Sequence, residues 1–326
     1  MSNLKFTSTG STTVTLSGNG LSNNFFANNS AYTLGTAINL ADGETVEFYG
    51  TGTDFSKDAN NFYQFSIGGT GTVTVEGDLV SLTNNSPYLK QYQFMKLFAG
   101  CDKITSIANL VFPATIADWC YANMFMDCTG LVNAGTTLPA TAASRWCYQG
   151  MFARCTSMTT PPTINSTKLA PFCYYGMFTG CTSLVQGPDL NNLIVEGEFS
   201  NNIMFKDCTS LSAIKVAFND WTAGNWSRQW LSGVAAEGVF SAPNTLVSIP
   251  EGAIPAGWTL STYVPPSITV NTIPTFTFDA TSETNIISSL LDYAVYTGNY
   301  TLNCQLEGNL PTGLSAENGI ITGVPS

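Results

Sequence analysis

The sequence contains no histidine, few charged residues and no long apolar run. Without histidine, the chain has neither the commonest general base nor the commonest metal ligand of proteins. Carboxylates alone still permit catalysis, as in glycoside hydrolysis. We therefore expect a protein that is not an enzyme and that needs no metal or other cofactor. A glycosidase that uses carboxylates alone is the most distant alternative.

Charged residues make up only 10% of the chain and give it a net charge of −11. Nucleic-acid binding requires clustered Lys and Arg to neutralise phosphates, and none cluster here. Anionic membranes repel an acidic protein, and no apolar run reaches the ~18 residues that span a bilayer. The composition predicts no nucleic-acid partner and no membrane insertion. The N-terminus also lacks the charged and apolar segments of a secretory signal.

A motif repeated every 26 or 27 residues dominates the middle of the chain. Met-Phe-x-x-Cys occurs four times, and Leu97-Phe98…Cys101 is an altered first copy. A constant period of this length indicates one supersecondary unit per repeat, stacked on its neighbours. The sequence therefore predicts a solenoid of about five repeats. The predicted repeat core consists of Phe98, Cys101, Cys120, Met124, Phe125, Cys128, Cys147, Met151, Phe152, Cys155, Cys173, Met177, Phe178, Cys181, Met204, Phe205 and Cys208.

Three repeats share a longer pattern, Cys-Tyr-x-x-Met-Phe-x-x-Cys, which starts at Cys120, Cys147 and Cys173. At ~100° per residue its apolar positions fall within roughly 140° of arc, which predicts one face of a short helix. Thr115 and Thr141 lie where the N-caps of such helices are expected. A short extended segment follows each helix. The predicted fold of the repeats is therefore an α/β solenoid of the leucine-rich-repeat type.

The repeats resemble the BspA-type leucine-rich repeats. The resemblance rests on Leu138-Pro139-Ala140-Thr141, followed by the Cys-Tyr-x-x-Met-Phe-x-x-Cys-Thr-Ser pattern from Cys147, and covers about residues 92–215. The stretch from Trp226 to Trp258 resembles the C-terminal cap of such arrays. Similar arrays occur on bacterial surfaces and in phages of gut bacteria. The resemblance implies a surface or adhesion protein.

The segments on both sides of the repeats have strand patterns. Residues 1–85 alternate polar and apolar residues between Gly and Asn turns, which predicts an all-β, sandwich-like domain. Pro265-Pro266 indicates a linker. The tail from Leu310 to Pro325 resembles immunoglobulin-like domains of bacterial and phage surface proteins, without the strands that normally follow; either another chain completes it or the sequence is truncated. The predicted domains are 1–88, 89–262 and 263–326.

Eight of the nine cysteines lie in the repeats, and the ninth is Cys304. Equivalent positions of stacked repeats lie roughly 5 Å apart, within reach of a disulfide. One interpretation is therefore a disulfide ladder or a metal site. The other is that each cysteine is a small buried hydrophobic residue. The regular columns and the odd total favour the second, and the lack of a Cys-x-x-Cys pair disfavours zinc.

An aromatic residue precedes the first cysteine position of every repeat. On a helical wheel it lies at roughly 260°, away from the apolar face. A row of partly exposed aromatic rings is a surface that sugar rings or a partner protein would contact. Packing against the flank of the neighbouring helix is the alternative. The candidate ligand-binding residues are Tyr92, Trp119, Trp146, Phe172 and Phe199.

Two acidic segments of the first domain are weaker candidates. Asp54 to Asn60 faintly resembles a calcium loop but lacks its glycine and its distant glutamate, which favours a polar turn. Glu44 and Glu47 are a possible carboxylate pair, but their odd spacing sends them to opposite faces of a strand. We expect both glutamates to be solvated surface residues.

The sequence leaves two functional classes, a binding module and a structural component of a large assembly. We expect a non-catalytic structural or adhesion protein, namely a phage virion decoration or fibre component in an extracellular virion. The alternative is a bacterial cell-surface adhesin. The expected partners are other virion or surface proteins and a host-cell glycan or protein. We expect the chain to be an oligomer or part of a larger assembly.

Overall fold

The computed structural model divides the chain into two compact units, Met1–Tyr263 and Val264–Ser326. It describes residues 2–18, 24–53, 55–190, 202–217, 229–246, 249 and 251–264, and the backbone of short strands at 194–195, 268–270, 284–285, 294–296, 314–317 and 320–323. Several predicted features lie outside the described residues: Asp54 of the acidic loop, Phe199, Trp226 at the start of the predicted cap, the Pro265-Pro266 pair, Cys304, and both ends of the tail, Leu310 and Pro325.

The first unit begins with eight strands, six of which alternate buried and outward side chains, whereas the short strands Ser30–Tyr32 and Ile38–Leu40 do not. Their bounds are β1 (Leu4–Thr9), β2 (Thr12–Gly18), β3 (Phe25–Ala27), β4 (Ser30–Tyr32), β5 (Ile38–Leu40), β6 (Thr45–Gly50), β7 (Tyr63–Gly69) and β8 (Thr72–Asp78). They form two antiparallel sheets, ordered β8-β1-β6-β3-β4 and β5-β2-β7. Phe6 of β1 contacts Phe65 of β7 across the two sheets, with ring centroids 4.8 Å apart. A 3-10 helix, Leu79–Thr83, leads into the repeats.

Each repeat forms one coil, and short parallel strands join successive coils. Their bounds are β9 (Ile104–Ser106), β10 (Leu110–Val111), β11 (Thr137–Leu138), β12 (Ala142–Ala143), β13 (Thr163–Ile164), β14 (Lys168–Leu169), β15 (Ile194–Val195), β16 (Ala213–Lys215), β17 (Gly238–Pro243) and β18 (Trp258–Tyr263). The parallel sheets of the coils are β11-β13, β12-β14-β15 and β16-β17-β18.

The described residues contain no α-helix, so the predicted α/β solenoid with a helix in each repeat is wrong. Thr115 and Thr141, predicted as N-caps, cap no helix. Every fourth residue of the predicted helices has a positive φ, as at Trp119 (61°), Asn123 (55°) and Asp127 (63°). An α-helix needs φ near −63° at each residue. We call these stretches turn segments, and they comprise residues 92–101, 119–128, 146–155, 172–181 and 202–208.

The backbone hydrogen bonds explain why turns replace the helix. In the turn segment 119–128, the N–H groups of the odd-numbered residues from Trp119 to Asp127 donate to carbonyls of the next coil, between Arg145 and Ala153, at 2.8–3.1 Å. The N–H groups of the even-numbered residues donate to carbonyls three residues back, at 3.1–3.3 Å. A helix would use these N–H groups for hydrogen bonds within the segment. The alternating pattern also gives every one of them a partner, and half of the hydrogen bonds join the segment to the next coil.

The turn segments nevertheless bury the face that the helical pattern indicates. A period of four residues differs little from 3.6 over two turns, so both place the Cys, Met and Phe positions on one side. Every side chain of the predicted repeat core is at most 2% exposed. The hydrophobic core runs without a break from Leu4 in β1 to Trp258 in β18.

The N-terminal sheets also provide the first layer of the solenoid. The N–H of Phe65 in β7 donates to the carbonyl of Leu97 at 2.8 Å, and the two rings of Phe65 and Phe98 stack at 5.5 Å. Strand β8 pairs in parallel with β9 and β10 of the first coil. The predicted boundary between residues 88 and 89 therefore lies inside one compact unit, with sheet and core continuing across it.

The second unit contains short antiparallel strand pairs. Its strands are β19 (Ile268–Val270), β20 (Thr284–Asn285), β21 (Ala294–Tyr296), β22 (Leu314–Glu317) and β23 (Ile320–Gly323). Strand β19 pairs with β21, and β23 pairs with both β20 and β22. The immunoglobulin-like character of this unit stays a prediction.

Candidate functional site

The predicted aromatic residues form a stacked column on the turn segments. Trp119 lies 6.0 Å from Tyr92 and 4.9 Å from Trp146, and Trp146 lies 4.1 Å from Phe172, measured between ring centroids. The interplanar angles are 28°, 12° and 5° in the same order. Each of the four side chains is partly exposed. We call these residues, Tyr92, Trp119, Trp146 and Phe172, the aromatic column.

The backbone geometry does not by itself select aromatic residues at these positions. All four have a φ between 57° and 62°, which costs a residue other than glycine about 1–2 kcal/mol. Two further columns with the same left-handed backbone mostly use Gly, Asn or Asp, which tolerate it better. These columns are Lys96, Asn123, Gly150, Gly176 and Ile203, and Gly100, Asp127, Arg154, Gly180 and Asp207. The aromatic residues at these four positions are therefore explained by the stacking of their rings or by the exposure of those rings to a ligand.

The stacking restricts what the aromatic column can bind. Each inner ring has a neighbour on both faces at 4.1–6.0 Å, so no sugar ring fits between them. Tyr175 adds an edge-on contact to Trp146 at 5.7 Å and to Phe172 at 6.3 Å. The rings of the column thus pack on one another while remaining partly exposed. A ligand could contact mainly their edges.

The second cysteine of each repeat is a buried hydrogen-bond donor. The thiols donate to phenylalanine carbonyls of the preceding layer at 3.0–3.1 Å, for example Cys128 to Phe98 and Cys155 to Phe125. Cys101 donates in the same way to Phe65 of the N-terminal sheet. The eight described cysteines are all buried, and none of them forms a disulfide. The disulfide interpretation therefore does not describe these eight residues.

Burial also removes the reactivity of these thiols. It raises the pKa of Cys101 and of Cys120 to about 12, because the thiolate loses its hydration in the core. A thiol with such a pKa is neither a nucleophile nor a good metal ligand at neutral pH. Within the described part of the chain, no three Cys, Asp or Glu residues gather to hold a metal ion.

Two adjoining clefts open on another side of the coils. One has a volume of about 450 Å³ and is lined by residues 108–112, 135–137 and 139. The other has a volume of about 370 Å³ and is lined by residues 159–164 and 186–189. Thr137 of β11, which lines the first cleft, pairs with Thr163 of β13, which lines the second, so the two linings are adjacent there. We call the two clefts together the threonine–proline groove.

Prolines and a glycine shape this groove. Pro139, Pro162 and Pro188 lack an N–H and have a fixed φ, so the ladder of hydrogen bonds between coils is interrupted there. Gly187 lets the coil lie close to the core, since a Cβ at this position would stand 2.5 Å from the Ile214 side chain. We did not predict this site from the sequence, although Thr and Pro follow both Leu131 and Met158, and Pro188 follows Leu184.

The weaker acidic candidates lie apart from the groove and the aromatic column. Asp58 accepts hydrogen bonds from the N–H groups of Asn60 and Asn61 at 2.8 and 2.9 Å, as in a polar turn. The side-chain hydrogen bond from Asn61 holds the pKa of Asp58 below its usual value. Glu44 accepts from the N–H of Ala41, and Glu47 from the side-chain amide of Asn3.

None of the described residues belongs to a helix of the length and hydrophobicity that crossing a membrane requires. Comparison with protein-family models, with curated proteins and with solved structures finds no match to this chain.

Proposed function

We propose that the chain is a non-catalytic structural and adhesion protein that displays the surface of its solenoid. The observation that carries this proposal is the stack of coils with one continuous core. Each coil adds equivalent outward residues at intervals of roughly 5 Å, so the surface is a regular array rather than a single pocket. Such an array suits repeated contacts with an extended partner.

The chemistry of the buried residues agrees with this role. The most distinctive residues of the repeats, the Cys, Met and Phe columns, are buried and serve to hold the coils together. The Phe rings of successive coils stack from Phe98 to Phe205 at 5.1–5.6 Å. Recognition is therefore left to the outward residues, among them the edges of the aromatic column.

The setting that we propose is the outside of a phage virion, as a decoration or fibre component with other virion proteins as partners. The resemblance of the repeats to BspA-type arrays supports an extracellular surface role. A bacterial cell-surface adhesin is the alternative that the same resemblance supports.

Immunogold electron microscopy with an antibody against the first unit tests the setting. We expect label on the outside of intact virions, whereas label on the outside of intact bacteria would support the alternative. Antibody absorbed with the purified protein is the control. Label confined to the cell interior would exclude both. Polysaccharide hydrolysis that disappears when one Asp or Glu is replaced would overturn the non-catalytic assignment.

A further inference from the structure

We propose that the threonine–proline groove binds a linear, uncharged polysaccharide whose chain runs along the solenoid. This inference rests on the proposed adhesion function and adds the ligand class and the binding surface. It differs from the sequence-based prediction, which placed recognition on the aromatic column.

The shape of the groove fits a chain rather than a single small molecule. Its two clefts lie on consecutive pairs of coils, and the paired residues Thr137 and Thr163 bring their linings side by side. The centres of the clefts are two coil spacings apart, which is roughly 10 Å. This distance is about the length of a disaccharide, so a regular polysaccharide would present the same groups to both clefts.

The floor of the groove is apolar. Leu110, Phe112 and Ile164 are each at most 4% exposed and lie beneath the clefts, and Pro162 and Pro188 are buried beside them. A sugar ring has an apolar C–H face, which such a floor accommodates without leaving polar groups unpaired.

The rim of the groove carries polar groups that are neutral and available. The side chains that face solvent include Asn109, Thr137, Thr160, Thr163 and Gln186. Among the described residues, none of these five side chains donates or accepts a hydrogen bond within the protein. Hydroxyl and amide groups both donate and accept, as sugar hydroxyls require.

Charge favours an uncharged ligand. In the described part of the chain, Asp189 is the one ionisable residue that lines the two clefts, and its carboxylate forms an ion pair with Lys215 at 3.0 Å. Among the described residues, no Lys or Arg lines the clefts to bind the carboxylates or sulfates of an acidic polysaccharide. A peptide is also less suitable, because peptides are usually held by main-chain pairing with a sheet edge or by deep side-chain pockets.

Affinity gel electrophoresis of the full chain tests the proposal. Separate gels contain mixed-linkage β-glucan, xylan, mannan, dextran or polygalacturonate, the last as the anionic comparison. We expect at least one of the four neutral polymers to retard the protein. The triple variant Thr137→Val, Thr160→Val and Thr163→Val removes three rim hydroxyls while keeping the side-chain shape, and we expect its affinity to fall at least tenfold.

The matched control is the double variant Thr129→Val and Thr209→Val, which removes exposed hydroxyls of the repeats outside the groove. It should bind as the unaltered protein does. A second variant, Thr163→Arg, places a long side chain at the junction of the clefts and should also abolish retardation. Urea unfolding of each variant shows that it is folded.

Three results would overturn the proposal: no retardation by any neutral polymer, retardation by polygalacturonate alone, or equal loss in the groove and control variants. These results concern the purified chain, so they leave the immunogold result unchanged. Surface label without polysaccharide binding would therefore refute the groove proposal alone. Interior label with polysaccharide binding would refute the surface role alone.

Discussion

At the scale of single residues, the left-handed positions decide the course of each turn segment. They recur at every fourth residue, and the residue type at each position sets a local cost. Gly176 has a φ of 61°, and a Cβ there would meet nothing closer than the Thr179 hydroxyl at 3.2 Å. A substitution at Gly176 therefore measures backbone strain together with a small shift of the Thr179 hydroxyl.

We expect Gly176→Ala to destabilise the protein by about 1–2 kcal/mol, because alanine is strained at this φ. Gly176→Asn should cost less, since asparagine tolerates the left-handed region and Asn123 occupies the equivalent position of an earlier coil. Urea unfolding measures both free energies. An α-helix would give the opposite order, with Gly→Ala stabilising by up to about 1 kcal/mol. That order would contradict the turn structure.

Glycines inside the turn segments are evidence against helices, and the sequence-based prediction of helices did not take them into account. Gly150, Gly176 and Gly180 lie inside the predicted helices, where each would cost about 1 kcal/mol. Asn123 and Asp127 occupy equivalent positions in the preceding coil. A spacing of four between residues that tolerate a positive φ indicates repeated turns. Hydrophobic periodicity alone does not separate such turns from a helix over ten residues.

At the scale of elements, the aromatic column combines stability with exposure. Trp146 stacks on Trp119 and on Phe172 and meets the edge of Tyr175, so its removal breaks three ring contacts. Such contacts contribute about 0.5–1.5 kcal/mol each beyond the area that they bury. A variant that keeps the stacking but shortens the exposed edge separates the two roles.

We expect Trp146→Ala to lower the free energy of unfolding by about 2–4 kcal/mol and Trp146→Phe by about 1 kcal/mol. Tyr88→Ala is the control, because Tyr88 is 74% exposed, and its loss should change stability by less than about 0.5 kcal/mol. Urea unfolding measures all three. If Trp146→Ala matched Tyr88→Ala, the column would contribute nothing to the packing of the coils.

At the scale of the whole molecule, the repeat makes the solenoid modular. Each coil contacts the coils on either side through the same ladder of hydrogen bonds and stacked rings. Deleting residues 119–145 removes one complete repeat and brings the turn segment 92–101 next to the segment 146–155. The phenylalanine and cysteine columns then remain in register, with Phe152 placed to stack on Phe98.

We expect this deletion variant to fold cooperatively, with a lower unfolding midpoint because one interface between coils is lost. Deleting only the turn segment 119–128 should prevent folding, since it leaves strands without the chain that connects them. Circular dichroism during urea unfolding, together with size-exclusion chromatography, follows both variants. A whole-repeat deletion that fails to fold would show that the coils are not interchangeable.

Much of this architecture follows from the sequence, and the rest depends on contacts between coils. The period, the buried columns and the strand pattern of the N-terminal segment are properties of local alternation and spacing. The stacking of Trp119 on Trp146 and the pairing of Thr137 with Thr163 between the two clefts depend on how one coil packs on the next. Side-chain spacing within a single repeat contains no information on those distances.

The junction between the N-terminal sheets and the first coil has a consequence for synthesis on the ribosome. The sheets emerge first, and β7 and β8 then offer an edge with the hydrogen-bonding groups and the Phe65 ring that the first coil needs. Each later coil packs on a coil that is already formed, and its own alternate N–H groups are satisfied when the following coil arrives. The chain therefore avoids long exposure of its hydrophobic repeats during translation, and folding proceeds in the direction in which the protein is made.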